Sequence, residues 1–402
     1  MDENSIIVKK KKKGLVEAFN RVKIYNAIRK SAERILQVLT DDDCEKVVNR
    51  VLELITEPEI GVRKLHNIVE VALDDAGFNR VAESYRQYRN YKEDAQKIME
   101  AVDAKTLELS YKEDRSNANA DSLLVSTKRS LLYGEMQKEK YKRIFLSVEE
   151  LEAHEKGYIY IHDMKDRLSS FNCNLFDLSR VLSGGFTLAG INYTEPNSLA
   201  SAIALTADII SASASQHYGG FTAPQVDEVW SKYAEKSYQN YLKQYKDIIA
   251  ESGGTYEEEK ADKWAESKVL REAEQGIQSC EMSMNSIASS RGDYAFISFS
   301  FGHGKDRWSK LISNTLLNVR RGGQGKDGAK IPVLFPKLIF LYDSELHGEG
   351  KECEDVFDNA VETSKQCMYP DFLSLDAGYV GEVYHKWGKI VSPMGKCKLQ
   401  LI

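Results

Sequence analysis

Residues 154–178 read HEKGYIYIHDMKDRLSSFNCNLFDL, and residues 215–227 read SQHYGGFTAPQVD. Both stretches place polar side chains and small residues inside otherwise apolar sequence. A single cysteine outside a C-x-x-C motif, such as Cys173, is most often a small buried hydrophobic residue, and a single histidine such as His162 is most often structural. Asn172 beside the cysteine, together with a second polar stretch, makes the combination more informative than any one residue. The combination of the two stretches therefore favours functional roles for Cys173 and His162 over purely structural ones.

Within and after these stretches, four short runs of sequence have the apolar or alternating pattern that is typical of strands. Between two of them, residues 228–275 are rich in Tyr and Lys with interleaved Glu, a pattern that predicts exposed helices. Strands distributed among helices predict a closed or layered α/β body. The predicted strands are 158–163 (YIYIHD), 295–302 (AFISFSFG), 337–343 (KLIFLYD) and 389–395 (KIVSPMG).

The amino-terminal part has a different pattern. Residues 6–19 predict two short strands around a turn at Lys13 and Gly14, because glycine tolerates the backbone angles of such turns. Three or four helices follow, the first with Asn20 as its N-cap. We therefore predict a hairpin-plus-helices domain at 1–95, a connector at 96–116 and an α/β body at 117–402.

Composition excludes several classes of protein. The 402 residues carry 55 basic and 61 acidic side chains, a net charge of −6, which argues against a surface that coats nucleic acid. No apolar run is long enough to span a bilayer and no apolar signal core follows the first charges, so the expected location is cytoplasmic, with no membrane partner. The six cysteines form no C-x-x-C pair, and no metal site is predicted.

The five lysines from Lys9 to Lys13 form the densest positive charge in the chain. They are compatible with a solvated strand and turn, with a nuclear localisation tract, or with a clamp for a triphosphate. In the clamp, ammonium groups at the hairpin tip converge on a polyanion together with Lys23 of the following helix.

The order of hairpin, Lys-rich turn, FNRVKIYNAI (19–28) and VRKLHNIVEVALDDAGFNRVAESYRQYR (62–89) resembles the ATP-cone, the regulatory domain of many ribonucleotide reductases. The resemblance implies ATP and dATP as allosteric effectors. It places Lys11, Lys12 and Gly14 at the hairpin contacts and Lys23 at the helix contact. Lys12 stands where the family usually has Arg, so the phosphate contacts are expected to be shared differently.

Seven motifs occur in the order of a second family. They resemble the anaerobic (class III, glycyl-radical) ribonucleoside-triphosphate reductase, and the likeness runs from about residue 117 to 395. The resemblance implies a ten-stranded α/β barrel of two half-barrels, with a finger loop through its centre. The motifs are NANADS (117–122), GYIYIHD (157–163), FNCNLFDL (171–178), GGF (184–186), QHYGG (216–220), FPKLIF (335–340) and SPMG (392–395).

The implied activity is the reduction of ribonucleoside triphosphates by thiyl-radical chemistry. A sulfur radical removes hydrogen from the ribose C3′, the 2′-hydroxyl leaves as water, and a second thiol and usually formate supply the reducing equivalents. By resemblance, Cys173 matches the reducing cysteine. The residues expected to bind the substrate are Asn172, His162, Gly219 and Gly220.

The radical cysteine of the family directly follows PMG, where this chain has Lys396. Cys397 comes one residue later and is the candidate for the role. A shift of one residue along an extended segment turns a side chain to the opposite face, so the assignment requires a local bulge. The family continues to a four-cysteine zinc site and a glycyl radical, which residues 396–402 do not resemble. We therefore expect an N-terminal portion with a truncated barrel, inactive alone.

Further partners follow from the resemblance alone. Family members dimerise through the barrel and require a radical-SAM activating enzyme. An alternative is a non-catalytic adenine-nucleotide sensor with a vestigial barrel. A pyruvate formate-lyase-like enzyme is disfavoured, because it has adjacent cysteines and no cone. The run RRGGQGKDG at 320–328 matches no phosphate-binding frame, and a mobile surface loop is favoured over a phosphate cradle.

Overall fold

A computed structural model describes residues 5–9, 15–112, 121–168, 171–188, 190–286, 292–327 and 329–393. The chain divides into two compact units, Met1–Asp103 and Ala104–Ile402. The boundary falls within a long helix, so the predicted limits at residues 95 and 116 stay predictions. No helix in the described ranges is long and apolar enough to cross a membrane.

The first unit contains a three-stranded sheet. Strands β1 (Ile7–Lys9) and β2 (Val16–Ala18) pair antiparallel, which confirms the predicted hairpin; its turn at Lys13 and Gly14 lies outside the described residues. Strand β3 (Glu59–Gly61) pairs parallel with β1 and was not predicted. Three residues are too few for a periodic pattern, and the pairing is visible only in three dimensions.

Four helices complete this unit. The Asn20 side chain accepts a hydrogen bond from the backbone N–H of Lys23 at 3.1 Å, as its predicted N-cap role requires. Thr40 and Asp43 cap the second helix reciprocally. The apolar stripes of the helices form one buried cluster with the sheet. The helices are α1 (Arg21–Arg34), α2 (Asp41–Leu54), α3 (Val62–Asp75) and α4 (Asn79–Tyr111).

The second unit is built on a five-stranded parallel sheet in the order β10-β9-β8-β7-β4. The predicted α/β class is confirmed. The strands predicted at 295–302 and 337–343 are β8 and β9. The strands are β4 (Asn174–Leu175), β7 (Phe221–Ala223), β8 (Ile297–Phe301), β9 (Lys337–Tyr342) and β10 (Asp371–Ser374).

Helices cover one face of this sheet. Phe299 of β8 packs edge-on against Trp230 with the ring centroids 5.6 Å apart, and both are fully buried. The remaining elements are α5 (Val125–Phe145), α6 (Val148–Glu155), α7 (Leu178–Gly184), β5 (Phe186–Leu188), β6 (Ile191–Tyr193), α8 (Leu199–Ala214), α9 (Val226–Glu251), α10 (Glu258–Ser286), α11 (Arg307–Gly322), α12 (Ser344–His347), α13 (Glu354–Gln366) and α14 (Gly378–Trp387).

Three sequence predictions about this unit are wrong. Residues 158–163 form turns rather than a strand: Tyr158 and Tyr160 are 80% exposed, so alternation of apolar residues has no sheet to face here. Residues 389–393 are not a strand either, and the rest of that prediction lies outside the described residues. The stretch 228–275 is helical as predicted, but Trp230, Val269 and other residues of its helices are buried.

Candidate active site

The two polar stretches meet at the amino-terminal ends of β4 and β7. The backbone N–H of Tyr218 donates to the carbonyl of Phe171 at 3.0 Å, and that of Gly219 donates to the carbonyl of Asn172 at 3.1 Å. Farther along, the N–H of Asn174 donates to the carbonyl of Gly220 at 3.3 Å. These backbone hydrogen bonds bring residues 171–174 beside residues 218–220; their role as a substrate site stays a prediction.

Gly219 supports two candidate side chains. A Cβ at this position would lie 2.5 Å from Oδ1 of Asn172 and 2.7 Å from Sγ of Cys173, closer than real carbon atoms approach. The two side chains also contact each other, with Sγ 3.2 Å from Oδ1. Asn172 is exposed and Cys173 is half-buried. The arrangement places a sulfur and an amide side by side at an open surface, rather than in solid hydrocarbon.

Gly220 has a different neighbour. A Cβ there would lie 2.6 Å from Cδ1 of Phe296, the residue that precedes β8. The glycine thus allows close packing between neighbouring strands, and its role in substrate binding stays a prediction.

His162 has other contacts. It forms an ion pair with Asp163, and its ring meets Tyr160 edge-on at 6.0 Å. Within the described ranges, no hydrogen bond or ring contact joins it to Asn172 or Cys173. Its substrate-binding role stays a prediction.

The sheet face away from the helix-covered core carries polar residues. Thr222 is in register with Leu175 on one side and with Ser298 on the other, so these three side chains share one face. The buried Thr222 hydroxyl donates to the carbonyl of Pro393 at 2.6 Å. The described part of SPMG therefore lies on this face. Cys397 lies outside the described residues.

Two further hydroxyl groups on this face are unsatisfied. Ser298 and Ser392 are buried, and no hydrogen-bond partner for either hydroxyl lies among the described residues. Buried hydroxyl groups ordinarily find a partner, so such pairs of exceptions indicate a place for water or a polar ligand.

The first unit has a cavity of about 180 Å³ beside α1. Lys23 lies at its lining and forms a 3.0 Å ion pair with Glu17. The cavity also contains two residues that sequence reasoning missed: Nδ1 of His66 lies 2.6 Å from the hydroxyl of Tyr85. Burial, and then the charge of Glu70, raise the pKa of Tyr85. Lys11, Lys12 and Gly14 lie outside the described residues.

A second polar cluster, also missed, lies beyond the carboxyl ends of β7 and β8. Nε2 of His303 is 3.0 Å from the hydroxyl of Tyr384, and its Nδ1 is 3.6 Å from Glu228. The interaction in which the Glu228 carboxylate accepts from the His303 ring raises the pKa of His303 and lowers the pKa of Glu228. The three residues line a cavity of about 480 Å³. The sequence does contain a signal for this cluster, because polar residues directly follow a predicted strand.

No group of three or more His, Cys, Asp or Glu side chains that could hold a metal occurs within the described ranges. The zinc site implied by the resemblance was expected outside this sequence, so this finding does not test it.

Comparison with protein families gives two matches. Residues 116–402 match the family model described as anaerobic ribonucleoside-triphosphate reductase. Residues 7–94 match the ATP cone domain.

Individual relatives of the chain carry the same family description. The anaerobic ribonucleoside-triphosphate reductase of Haemophilus influenzae is 31% identical over 96% of this chain and 54% of the relative, and that of Escherichia coli is 29% identical over 96% and 53%. The phage T4 protein of that name is 32% identical over 64% and 41%. The chain thus spans about half the length of the curated relatives it matches.

Solved structures of the anaerobic ribonucleotide reductase from Thermotoga maritima are also similar. The form with dATP bound in the specificity site aligns with a TM-score of 0.45 and 14% identity, covering 73% of this chain and 51% of that chain. The form in complex with dATP and CTP aligns with a TM-score of 0.41 and 16% identity, covering 63% and 42%. The family assignment rests on the sequence matches, which cover nearly the whole chain. The chain belongs to the anaerobic ribonucleoside-triphosphate reductase family and has an ATP cone at residues 7–94.

Proposed function

We propose that this chain takes part in the reduction of ribonucleoside triphosphates to deoxyribonucleotides and that adenine nucleotides regulate it through the cone. The observation that carries the proposal is the position of Cys173 and Asn172 over Gly219, where only glycine leaves room for both side chains. Thr222 supports it by holding the carbonyl of Pro393 on the same sheet. Family membership supplies the reaction type.

The chain's own residues have defined tasks in this proposal. The half-buried sulfur of Cys173 lies next to the sugar and donates a hydrogen, while the Asn172 amide accepts and donates hydrogen bonds to the ribose hydroxyl groups. Through a glycyl and then a thiyl radical, the complete enzyme would supply the oxidising step at C3′. With formate as reductant the reaction balances, because formate and one proton are consumed and CO₂ and water are released.

Further parts of the proposal rest on the family resemblance. They are Cys397 as the thiyl cysteine, a radical-SAM activating enzyme, a homodimer, and a zinc site and glycyl radical outside this sequence. The acidic net charge of −6 supports the absence of direct nucleic-acid binding. We also keep the cytoplasm as the proposed location.

Alkylation of Cys173 tests the catalytic half of the proposal. In the reduced full-length chain, CTP should slow the reaction of Cys173 with iodoacetamide, measured by mass spectrometry of its peptide. CTP is chosen because the cone is expected to prefer adenine nucleotides. Cys367 is the internal control, since it is a free, partly exposed thiol whose sulfur contacts the carbonyl of Arg320 at 3.8 Å rather than Asn172 or Gly219. Equal alkylation rates of Cys173 with and without CTP would contradict the proposal.

Calorimetric titration of the full chain with ATP tests the regulatory half. Replacing Lys23 by Met should weaken ATP binding about tenfold, because one charge-assisted contact is lost. Lys64 is a matched control: it forms a comparable 2.9 Å ion pair with Glu57 but does not line the cavity. Equal ATP affinities of the Lys23→Met and Lys64→Met variants would refute the effector assignment.

The two assays also separate the alternative function. A chain that binds ATP through Lys23, but whose Cys173 is not protected by any ribonucleoside triphosphate, would be a nucleotide sensor with a non-catalytic barrel.

A further inference from the structure

Tyr384 connects helix α14 to the ends of two strands. Its hydroxyl lies 3.0 Å from Nε2 of His303 and donates to Oδ2 of Asp343 at 3.4 Å, and its ring meets the His303 ring edge-on with the centroids 5.5 Å apart. His303 follows β8 and Asp343 follows β9. A hydroxyl group can accept one hydrogen bond and donate another, so Tyr384 can serve both partners at once.

The loop that carries His303 is fixed by buried groups. The backbone N–H groups of Gly302 and Gly304 donate to Oδ2 of Asp227 at 2.9 and 3.1 Å, and the carbonyl of Gly302 accepts from Nε2 of His347 at 2.7 Å. Asp227 and His347 are both buried. The histidine is therefore a partner whose backbone is held on both sides.

Helix α14 has little other anchorage. Of its ten residues, all of which the structure describes, only Gly381 is buried, and Trp387 is 65% exposed. Gly388 and Ile390, just after the helix, line the cavity of about 480 Å³, so packing beneath this part of the chain is incomplete. The Tyr384 hydroxyl is thus a main contact between α14 and the sheet.

The backbone of the same tyrosine begins the turn that leads to residues 389–393. The backbone N–H of Gly388 donates to the carbonyl of Tyr384 at 2.7 Å, and Gly388 has a φ of 63°, which glycine adopts without strain. Farther along, the carbonyl of Pro393 accepts from the Thr222 hydroxyl on the polar sheet face. The chain from Tyr384 to Pro393 therefore connects the carboxyl ends of β8 and β9 with that face.

We propose that Tyr384 is a positioning residue, whose hydroxyl, held by His303 and Asp343, sets the place of residues 389–393 on the polar sheet face. The inference rests on the proposed function, because that face also carries Leu175, two residues after Cys173, and residues two apart in an extended chain point to the same side. Residues 389–393 then border the place proposed for the ribose. The tyrosine acts through this segment and takes no covalent step.

Trypsin cleavage after Lys389 in the full chain measures how firmly residues 389–393 are held, because a protease cuts the locally opened chain. Tyr384→Phe should raise the initial rate of this cleavage, read by peptide mass spectrometry, about tenfold, since the ring stays and a hydrogen bond to a charged group is lost. Cleavage after Lys365 in α13 is the internal reference and should stay unchanged. Tyr379→Phe is the matched control, because Tyr379 lies on the same helix and is 56% exposed.

Variants of His303 separate the hydrogen bond from general packing. His303→Gln keeps an amide group that can bond to the Tyr384 hydroxyl, so cleavage after Lys389 should stay slow, whereas His303→Leu should accelerate it. The double variant Tyr384→Phe/His303→Leu should be cleaved no faster than Tyr384→Phe, because the histidine acts through that hydroxyl. Equal rates after Lys389 in the unaltered chain and Tyr384→Phe, or an equal rise after Lys365, would overturn the inference.

Protection of Cys173 from iodoacetamide by CTP gives a readout that a purely structural role of α14 would not change. The half-protecting concentration of CTP should rise severalfold in Tyr384→Phe and in His303→Leu, and stay at that of the unaltered chain in His303→Gln. If cleavage after Lys389 rises but this concentration does not, Tyr384 only anchors the helix, and the inference is wrong while the proposed function stands. If CTP fails to protect Cys173 in the unaltered chain, the proposed function fails, whereas the cleavage rates still decide whether the tyrosine holds residues 389–393.

Discussion

Replacing Arg320 by Met should strongly destabilise the second unit. Arg320 is the first residue of the glycine-rich run predicted to be a mobile surface loop, and this part of the prediction is wrong. Its side chain is only 1% exposed and that of its partner Glu281 is 2% exposed. Nε donates to Oε1 of Glu281 at 2.8 Å, and Nη2 donates to the carbonyl of Pro336 at 2.7 Å.

The expected magnitude follows from what the substitution leaves behind. Met fills a similar volume, but the Glu281 carboxylate stays buried without its cation, and its Oε2 already has no hydrogen-bond partner among the described residues. Breaking a buried ion pair by removing one partner costs about 3–5 kcal/mol. We expect a loss of that size in the free energy of unfolding. The double variant Arg320→Met/Glu281→Leu should recover most of it, since an apolar pair leaves no buried charge.

Urea unfolding followed by tryptophan fluorescence measures this effect, because all four tryptophans lie in the second unit. Arg321→Met is the matched control: the neighbouring side chain bonds to Asn359 and Asn318 and should cost less than about 1 kcal/mol. Burial raises the pKa of Glu281 and Arg320 opposes this rise. Without Arg320 the carboxyl is protonated more readily, so the penalty should be smaller at pH 5 than at pH 8.

The reasoning would be refuted if Arg320→Met and Arg321→Met cost the same, or if the double variant were as unstable as Arg320→Met. A penalty that did not change between pH 5 and pH 8 would show that the unpaired carboxylate is not its cause.

Two further predictions concern other positions in the second unit. Gly219→Ala should abolish the protection of Cys173 by CTP, because the new methyl group displaces the sulfur and the neighbouring amide. The control Gly184→Ala should keep the protection, because a Cβ at that position meets nothing within 4 Å. Unchanged protection in Gly219→Ala would contradict the proposed role of Gly219. Burial raises the pKa of Asp227 from 3.8 to about 6, so the folded state binds the proton of this carboxyl group more tightly than the unfolded state does. The contribution of the protonated group to the free energy of unfolding therefore falls by about 3 kcal/mol as the pH rises through this interval. Urea unfolding of Asp227→Asn should lack that pH dependence, and identical pH profiles of the variant and the unaltered chain would count against it.

Sequence motifs predicted the family and much of the local structure. The N-cap at Asn20 and the strands β8 and β9 were predicted because capping side chains and buried apolar runs are local signals. The proximity of residues 171–174 to residues 218–220 is visible only in the structure, where the backbones of β4 and β7 pair. The predictions of a strand at 158–163 and of an exposed loop at Arg320 were wrong, because the structure of each segment depends on its neighbours in the tertiary fold.

The order of motifs along the chain was therefore sufficient to determine the reductase family and the presence of a cone, because each motif is a contiguous pattern of side chains. Only the tertiary structure decided which polar residues share one sheet face. Register between strands joins Leu175, Thr222, Ser298 and Lys337 in one row, although they are far apart in sequence. Hydrogen bonding between distant strands sets that register, and no local sequence pattern specifies it.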